Sequence, residues 1–418
     1  MAERTKNRWS GLGNSRLLLI GILAALLAAW AGFHSQINRA LVTMFFLRAD
    51  SPTEETFLGL MGQSSNPAEL LKRCWDTGRI PHRQLVASYL KASAGDNPAW
   101  FAQAEPLVIA GTLDPDMSVR ELAFAALESR HDPRLFDLAQ AQLKDLDPMI
   151  RQLGLQYLQR ASAERGVPAL MPLLDDPDLQ IVTRAEAALM RWTGQDFGVR
   201  VRLAIHRDGA LADGSSAQAD EQKIKAGVTR RKQWWAQHAT EFATHESTLP
   251  SIPRSVPEVV RDFSLPTPSG DRVRLASFRG RVIVLNFWAT WCTACLEEIP
   301  DLAALHGKLG DKIGVIGVAL DGLPAASYHN PVREAEEHSV GKSLQQIQQK
   351  VRRAIAAQGI NYTVLLDPTG AVGGRFNGGE LPTTVIIDGA GRVRRRFIGE
   401  RSLGVFEAMI AEAAQPLQ

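Results

Sequence analysis

Apolar and polar positions follow three different rhythms along the 418 residues. The run Leu17–Phe33 is continuously uncharged and just long enough to span the hydrocarbon core of a bilayer. From about Glu54 to Trp192 apolar residues recur at helical spacing, with few β-branched runs, which predicts an all-α region. After about residue 258 the rhythm changes again. Short β-branched runs at Val282–Phe287, Ile313–Leu320, Thr363–Leu366 and Thr384–Ile387 predict strands, the earlier ones separated by helical patterns, and so an α/β layer. Asp388-Gly389-Ala390-Gly391 reads as a hairpin turn into Arg392–Ile398, which would end the sheet in an antiparallel pair.

The helical region carries a weak internal repeat. Asp114-Pro115-Asp116-Met117-Ser118-Val119-Arg120 is echoed by Asp147-Pro148-Met149-Ile150-Arg151 and by Asp176-Pro177-Asp178-Leu179-Gln180-Ile181-Val182. Proline suits a first helical turn and disfavours continuing through one, so each Asp-Pro closes one helix and opens the next. A period near thirty residues signals helix pairs stacked as a solenoid, and the unit resembles short HEAT-like repeats. The fold expected is multidomain: an all-α HEAT-like solenoid over 54–245, then an α/β domain over 258–415. Thr193-Gly194-Gln195-Asp196-Phe197-Gly198 and Arg231-Lys232-Gln233-Trp234-Trp235 read as closing elements of the array. Three prolines in Thr248–Pro257 mark a semi-rigid linker over 246–257. Cys74, among apolar helical positions, reads as a small buried hydrophobe.

Charge adds a direction. Arg4, Lys6, Arg8 and Arg16 lie in the first 16 residues and hold them in the cytoplasm, so the body of the protein is sent across the inner membrane. The segment 17–33 is then a retained single-pass anchor or, with Ala29-Trp30-Ala31 as a small-x-small site, a cleaved signal peptide. A net charge of +2 and the lack of a basic stripe interleaved with aromatics give no indication of nucleic-acid binding. The densest basic run, Arg394-Arg395-Arg396, reads as a solvated edge of the last strand.

The chemistry concentrates at Trp291-Cys292-Thr293-Ala294-Cys295, which holds two of only three cysteines. It follows a buried-strand pattern and opens a helical one. A C-x-x-C pair can be half a zinc site, a structural disulfide or a redox dithiol. Zinc would need two further ligands; Cys74 is far upstream and His306 has no partner at ligand spacing. Few cysteines in an exported chain suit a redox site better than a disulfide scaffold. At a helix N-terminus the first sulfur is favoured as a thiolate, and the second, one turn on, can attack a mixed disulfide and release the partner.

Several motifs in order carry a family resemblance. Asp262-Phe263-Ser264-Leu265-Pro266, Val284-Leu285-Asn286-Phe287-Trp288-Ala289-Thr290-Trp291-Cys292, Cys295-Leu296-Glu297-Glu298-Ile299-Pro300 and Leu381-Pro382-Thr383-Thr384-Val385-Ile386-Ile387-Asp388 are similar to TlpA/ResA-type membrane-tethered thioredoxin-like proteins. The resemblance implies a thioredoxin fold and a periplasmic thiol–disulfide oxidoreductase that reduces client disulfides, for example those of apocytochrome c, without a cofactor. It makes Cys292 the exposed nucleophile and Cys295 the resolving thiol. It also favours Glu298 as the base, since Asn286 stands where thioredoxins place a buried aspartate. Trp291, Leu381 and a cis Pro382 would face the client. The partners implied are client disulfides, a membrane thiol transporter as electron donor and an unidentified protein on the helical repeats. Thr293-Ala294 lacks the proline common in this dipeptide. Asp321–Ser343 reads as an insertion before the next helix. The alternatives are a scaffold that binds clients without turnover and a peroxidase, for which the required Pro-x-x-x-Thr before Cys292 is missing.

Overall fold

The computed structural model describes residues 38, 40–96, 99–199, 214–242, 249, 257–323 and 344–416. The apolar run at 17–33, almost all of the proline-rich linker and most of the Asp321–Ser343 insertion lie outside these residues. Among the described residues no helix is long and apolar enough to cross a membrane.

The N-terminal region is helical: α1 (Glu54–Gly62), α2 (Pro67–Trp75), α3 (Ile80–Ser93), α4 (Phe101–Gly111), α5 (Met117–Ser129), α6 (Leu135–Gln142), α7 (Pro148–Leu158), α8 (Ala163–Leu170), α9 (Leu179–Thr193) and α10 (Gly214–His238). Their apolar faces share one core, which includes Cys74, 1% exposed. Trp234 and Trp235 near the end of α10 pack on Phe242, and Trp234 also stacks on His238.

The repeat has a definite register. Asp116, Asp147 and Asp178 are the N-caps of α5, α7 and α9, accepting from Val119 N–H at 2.9 Å, Met149 N–H at 3.0 Å and Gln180 N–H at 2.8 Å. Two residues earlier, Asp114, Asp145 and Asp176 each accept the N–H of the cap residue at 2.9 Å. Asp147 is therefore the counterpart of Asp116, not of Asp114 as the Asp-Pro dipeptides suggest. Proline simply occupies a different place in the second turn. Arginines tie one repeat to the next: Arg120 reaches Asp145 at 3.2 Å and Arg151 holds Asp176 with two bonds of 2.7 Å, each spanning 25 residues. Arg83 holds Asp114 in the same way at 3.0 Å.

The C-terminal region starts with a two-stranded ribbon, β1 (Ser264–Pro266) and β2 (Arg272–Arg274). The main sheet follows: β3 (Val282–Trp288), α11 (Thr293–Leu309), β4 (Ile313–Ala319), α12 (Leu344–Gln358), β5 (Thr363–Leu366), β6 (Thr383–Ile387), β7 (Val393–Ile398) and α13 (Leu403–Ala413). Strand order is β5-β4-β3-β6-β7, with β3, β4 and β5 parallel and β6 and β7 antiparallel to their neighbours. Every residue of β3 and β4 is buried, as expected of central strands covered on both faces. One face packs on α11, α12 and α13. The other packs on Phe263, Leu275 and Phe376, and Ile80 from α3 joins it.

The two regions meet along β7. An edge strand presents unpaired main-chain groups, and here the helical array covers them. Arg396 N–H donates to the Pro115 carbonyl at 2.9 Å and its guanidinium to Asp116 at 2.8 Å. Arg395 reaches Asp145 at 2.7 Å, and Arg401 grips both oxygens of Asp147 at 2.9 and 3.1 Å. Glu258 accepts the Ile80 N–H at 2.9 Å. The expectation of a solvated Arg394–Arg396 edge is thus wrong. Arg395 is 7% and Arg396 1% exposed, because the strand edge faces the cap aspartates of the array rather than water.

Removing one partner of a buried ion pair leaves a stranded charge. Arg396→Leu should cost about 3–5 kcal/mol in urea unfolding of the intact protein, through the uncompensated Asp116 carboxylate. A loss below about 1 kcal/mol, the scale of an exposed pair, would show that this junction does not hold the regions together.

Candidate active site

Strand β3 delivers the site. Its last residues run through Trp288 into Ala289-Thr290-Trp291, and α11 starts immediately after Cys292. Cys292 is the N-cap of that helix, and its Sγ accepts the Cys295 N–H at 3.2 Å. The two sulfurs are joined in a disulfide. The turn before them is pinned by Asp321, which is 1% exposed at the end of β4. It accepts from the Thr290 N–H at 3.1 Å and hydroxyl at 2.5 Å, and Lys350 of α12 reaches it at 2.9 Å.

Cys292 is 6% exposed and Cys295 1%. The expectation that the first sulfur is exposed holds only in rank, since Cys292 belongs to the buried cluster against which Trp291 and Leu381 pack. Trp291 and Leu381 are half-buried on the same cluster as the dithiol, and the Leu381–Pro382 bond is cis. The site therefore gathers Trp291, Cys292, Cys295 and Leu381, with Pro382 next in the chain.

Glu298 lies one turn below Cys295 and is 2% exposed. Asn286, in the middle of β3, donates to one oxygen at 2.8 Å and to the Thr384 hydroxyl at 3.0 Å. The main-chain N–H of Arg401 donates to the other oxygen at 3.0 Å. Asn286 pairs in register with Gly317 on β4 and Thr384 on β6, so the carboxyl sits over the centre of the sheet. Burial pushes the Glu298 carboxyl up to about 8, against the opposing pull of the Arg401 N–H, the Arg401 guanidinium and Asn286. Glu297, on the next position of the helix, is exposed. Cys74, in the helical core, is pushed up to about 12 by burial and stays a thiol.

Three contributors were not visible in the sequence. Asp321 opens the segment read as an insertion and Lys350 follows that segment, and nothing local marks them as a pair. Arg401 follows the glycine turn after β7 and shows its use only when Asp147, 254 residues upstream, is beside it.

Residues 256–396 match the model of the AhpC/TSA family. The thioredoxin-like protein YneN of Bacillus subtilis is 28% identical over 138 residues, which cover 33% of this chain and 68% of YneN. The thiol–disulfide oxidoreductase ResA of Geobacillus kaustophilus is 29% identical over 163 residues, 38% of this chain and 76% of that protein. Among solved structures, a putative thiol:disulfide interchange protein DsbE from Chlorobium tepidum is 25% identical, with a TM-score of 0.30, covering 38% of this chain and 96% of that one. These matches fall on the region that carries the dithiol: the C-terminal part of the chain is similar to the AhpC/TSA family and is a thioredoxin-like thiol–disulfide oxidoreductase.

Proposed function

We propose that this oxidoreductase is exported, membrane-tethered and works as a reductase of client-protein disulfides, with Cys292 as nucleophile, Cys295 as resolving thiol and Glu298 as the group that takes and returns the proton. The observation that carries the reading is the buried Glu298 carboxyl, hydrogen-bonded on both oxygens and one helical turn from Cys295. The basic residues ahead of Leu17–Phe33 support the export and the tether.

In the reduced protein the Cys292 thiolate attacks one sulfur of the client disulfide. The client S–S bond breaks, a Cys292–client bond forms, and the other client sulfur leaves as a thiolate that takes a proton from water. Cys295 then passes its proton to the Glu298 carboxylate and attacks the Cys292 sulfur. The Cys292–Cys295 bond forms, and the second client sulfur leaves and is protonated. The client gains two electrons from the dithiol and two protons, one from water and one that Cys295 gives up through Glu298. A carboxyl near 8 is matched to a thiol, whereas one at its ordinary value would be too weak a base. Trp291, Leu381 and Pro382 form the surface on which an extended client segment would lie. A membrane dithiol donor would return the electrons by the reverse exchange.

Insulin-disulfide reduction tests the assignment. Cys292→Ser should show no rate above background, and Cys295→Ser should accumulate client proteins linked to Cys292. Glu298→Gln should keep the first attack and slow release of the client by roughly a hundredfold, the low end of general acid–base effects. An undiminished release rate would remove Glu298 from the mechanism.

Burial of Glu298 also has a consequence for stability. Its carboxyl is raised from 4.5 in the unfolded chain to about 8 when folded, so the folded state holds the proton more tightly. The contribution is fully present below pH 4.5 and is lost as the pH rises to about 8. Oxidised Glu298→Gln should match the parent's pH trend below 4.5, gain stability relative to it with rising pH, and stop gaining above about 8. A constant difference across urea unfolding curves from pH 4 to 9 would show that the carboxyl titrates normally.

A further inference from the structure

Among the described residues, Arg401 touches both the carboxyl below the dithiol and the helical array. Its main-chain N–H donates to Glu298 at 3.0 Å, while its guanidinium holds the two oxygens of Asp147 at 2.9 and 3.1 Å. The guanidinium also lies 4.5 Å from the centre of the Phe397 ring and donates to the Glu400 carbonyl at 2.9 Å. Arg401 is 5% exposed, and Asp147 1%. Asp147 is itself fixed as the cap of α7. A rigid path of one residue thus runs from a repeat of the array to the carboxyl beside the active-site helix.

We propose that Arg401 is a positioning residue through which docking of the helical array, at Asp147, sets the charge and the orientation of Glu298. The inference rests on the reading of Glu298 as the proton-transfer group. It gives the array a part in the redox site itself, beyond carrying the domain. Neutralisation is the physical basis. A guanidinium close to a carboxyl favours its charged form, and a carboxylate gripping that guanidinium weakens the effect. The other charged or titratable groups around Glu298 are few. Glu400 stands in the same turn as Arg401 and disfavours the carboxylate, and the Tyr362 phenol lies ahead of β5. The dithiol is on its own helix, and α13 meets that helix through Glu407 and Lys308 at 2.6 Å.

The pH dependence of client release, measured with insulin on the full chain, separates this role from simple bracing. Asp147→Asn keeps a cap and frees the Arg401 charge, so the rise in rate should move to lower pH. The double variant Arg401→Gln with Asp147→Asn removes the cation and leaves a neutral pair, and the rise should move to higher pH by about one pH unit. Arg401→Lys keeps the charge and should leave the rise close to the parent's. The double variant Arg396→Gln with Asp116→Asn weakens the same junction without touching Glu298, and should not move the rise at all. Opposite shifts for the two Asp147 variants support the proposal. If both keep the parental profile while Glu298→Gln abolishes the rise, the array does not act on Glu298 and the inference is overturned, with the relay intact. If Glu298→Gln also keeps the rise, the relay reading falls and this inference falls with it. Should the Arg401→Gln double variant not fold, Asp147→Asn and Arg401→Lys together still decide: no downward shift in the former overturns the proposal.

Discussion

Buried carboxylates have to be neutralised, and in this protein the partners are supplied across the junction between two differently built regions. Asp116 and Asp147 cap helices of the array with one set of lone pairs and hold Arg396 and Arg401 with the others. Each aspartate is nearly inaccessible to water, so neither charge is tolerable without its arginine. The sheet has the complementary problem, an edge strand whose main-chain groups need partners, and Pro115 supplies one. The two requirements meet along β7. A spacer hanging beside the redox domain would satisfy neither.

The same economy of groups governs the interior of the redox domain. Asn286 has no charge of its own, yet its amide orients Glu298 and ties it to Thr384 across β3 and β6. That leaves one ionisable carboxyl, held by two neutral donors and far from bulk water, beneath a dithiol whose first sulfur caps the same helix. The arrangement separates tasks along α11. In the proposed mechanism the helix end favours a thiolate at Cys292, and the buried turn offers a weakly acidic carboxyl to the thiol at Cys295.

Much of this was legible from residue order. The β-branched runs located the central strands to within a residue or two, because strands covered on both faces are apolar throughout. Trp291–Cys295, Glu298 and Pro382 stood out through motif and helical spacing. What the sequence concealed depends on partners remote in the chain. Arg394–Arg396 read as solvated because three consecutive arginines on a terminal strand usually are; the aspartates that hold Arg395 and Arg396 lie 250 and 280 residues upstream. The repeat register was misread because proline, the most conspicuous residue, is not what recurs; the cap aspartate and the one two residues before it are. Asp321 opens the segment read as an insertion and Lys350 lies 29 residues on, so no local pattern links them.

Carboxyl titration of Glu298 by NMR, on the intact oxidised protein labelled at the glutamate carboxyl carbon, tests the central claim most directly. The expected result is a carboxyl that titrates at about 8 and disappears in Glu298→Gln, beside that of Glu258, which burial raises to about 7. A Glu298 signal titrating near the ordinary 4.5 would contradict it, because such a carboxylate is too weak a base for the proton transfer proposed from Cys295.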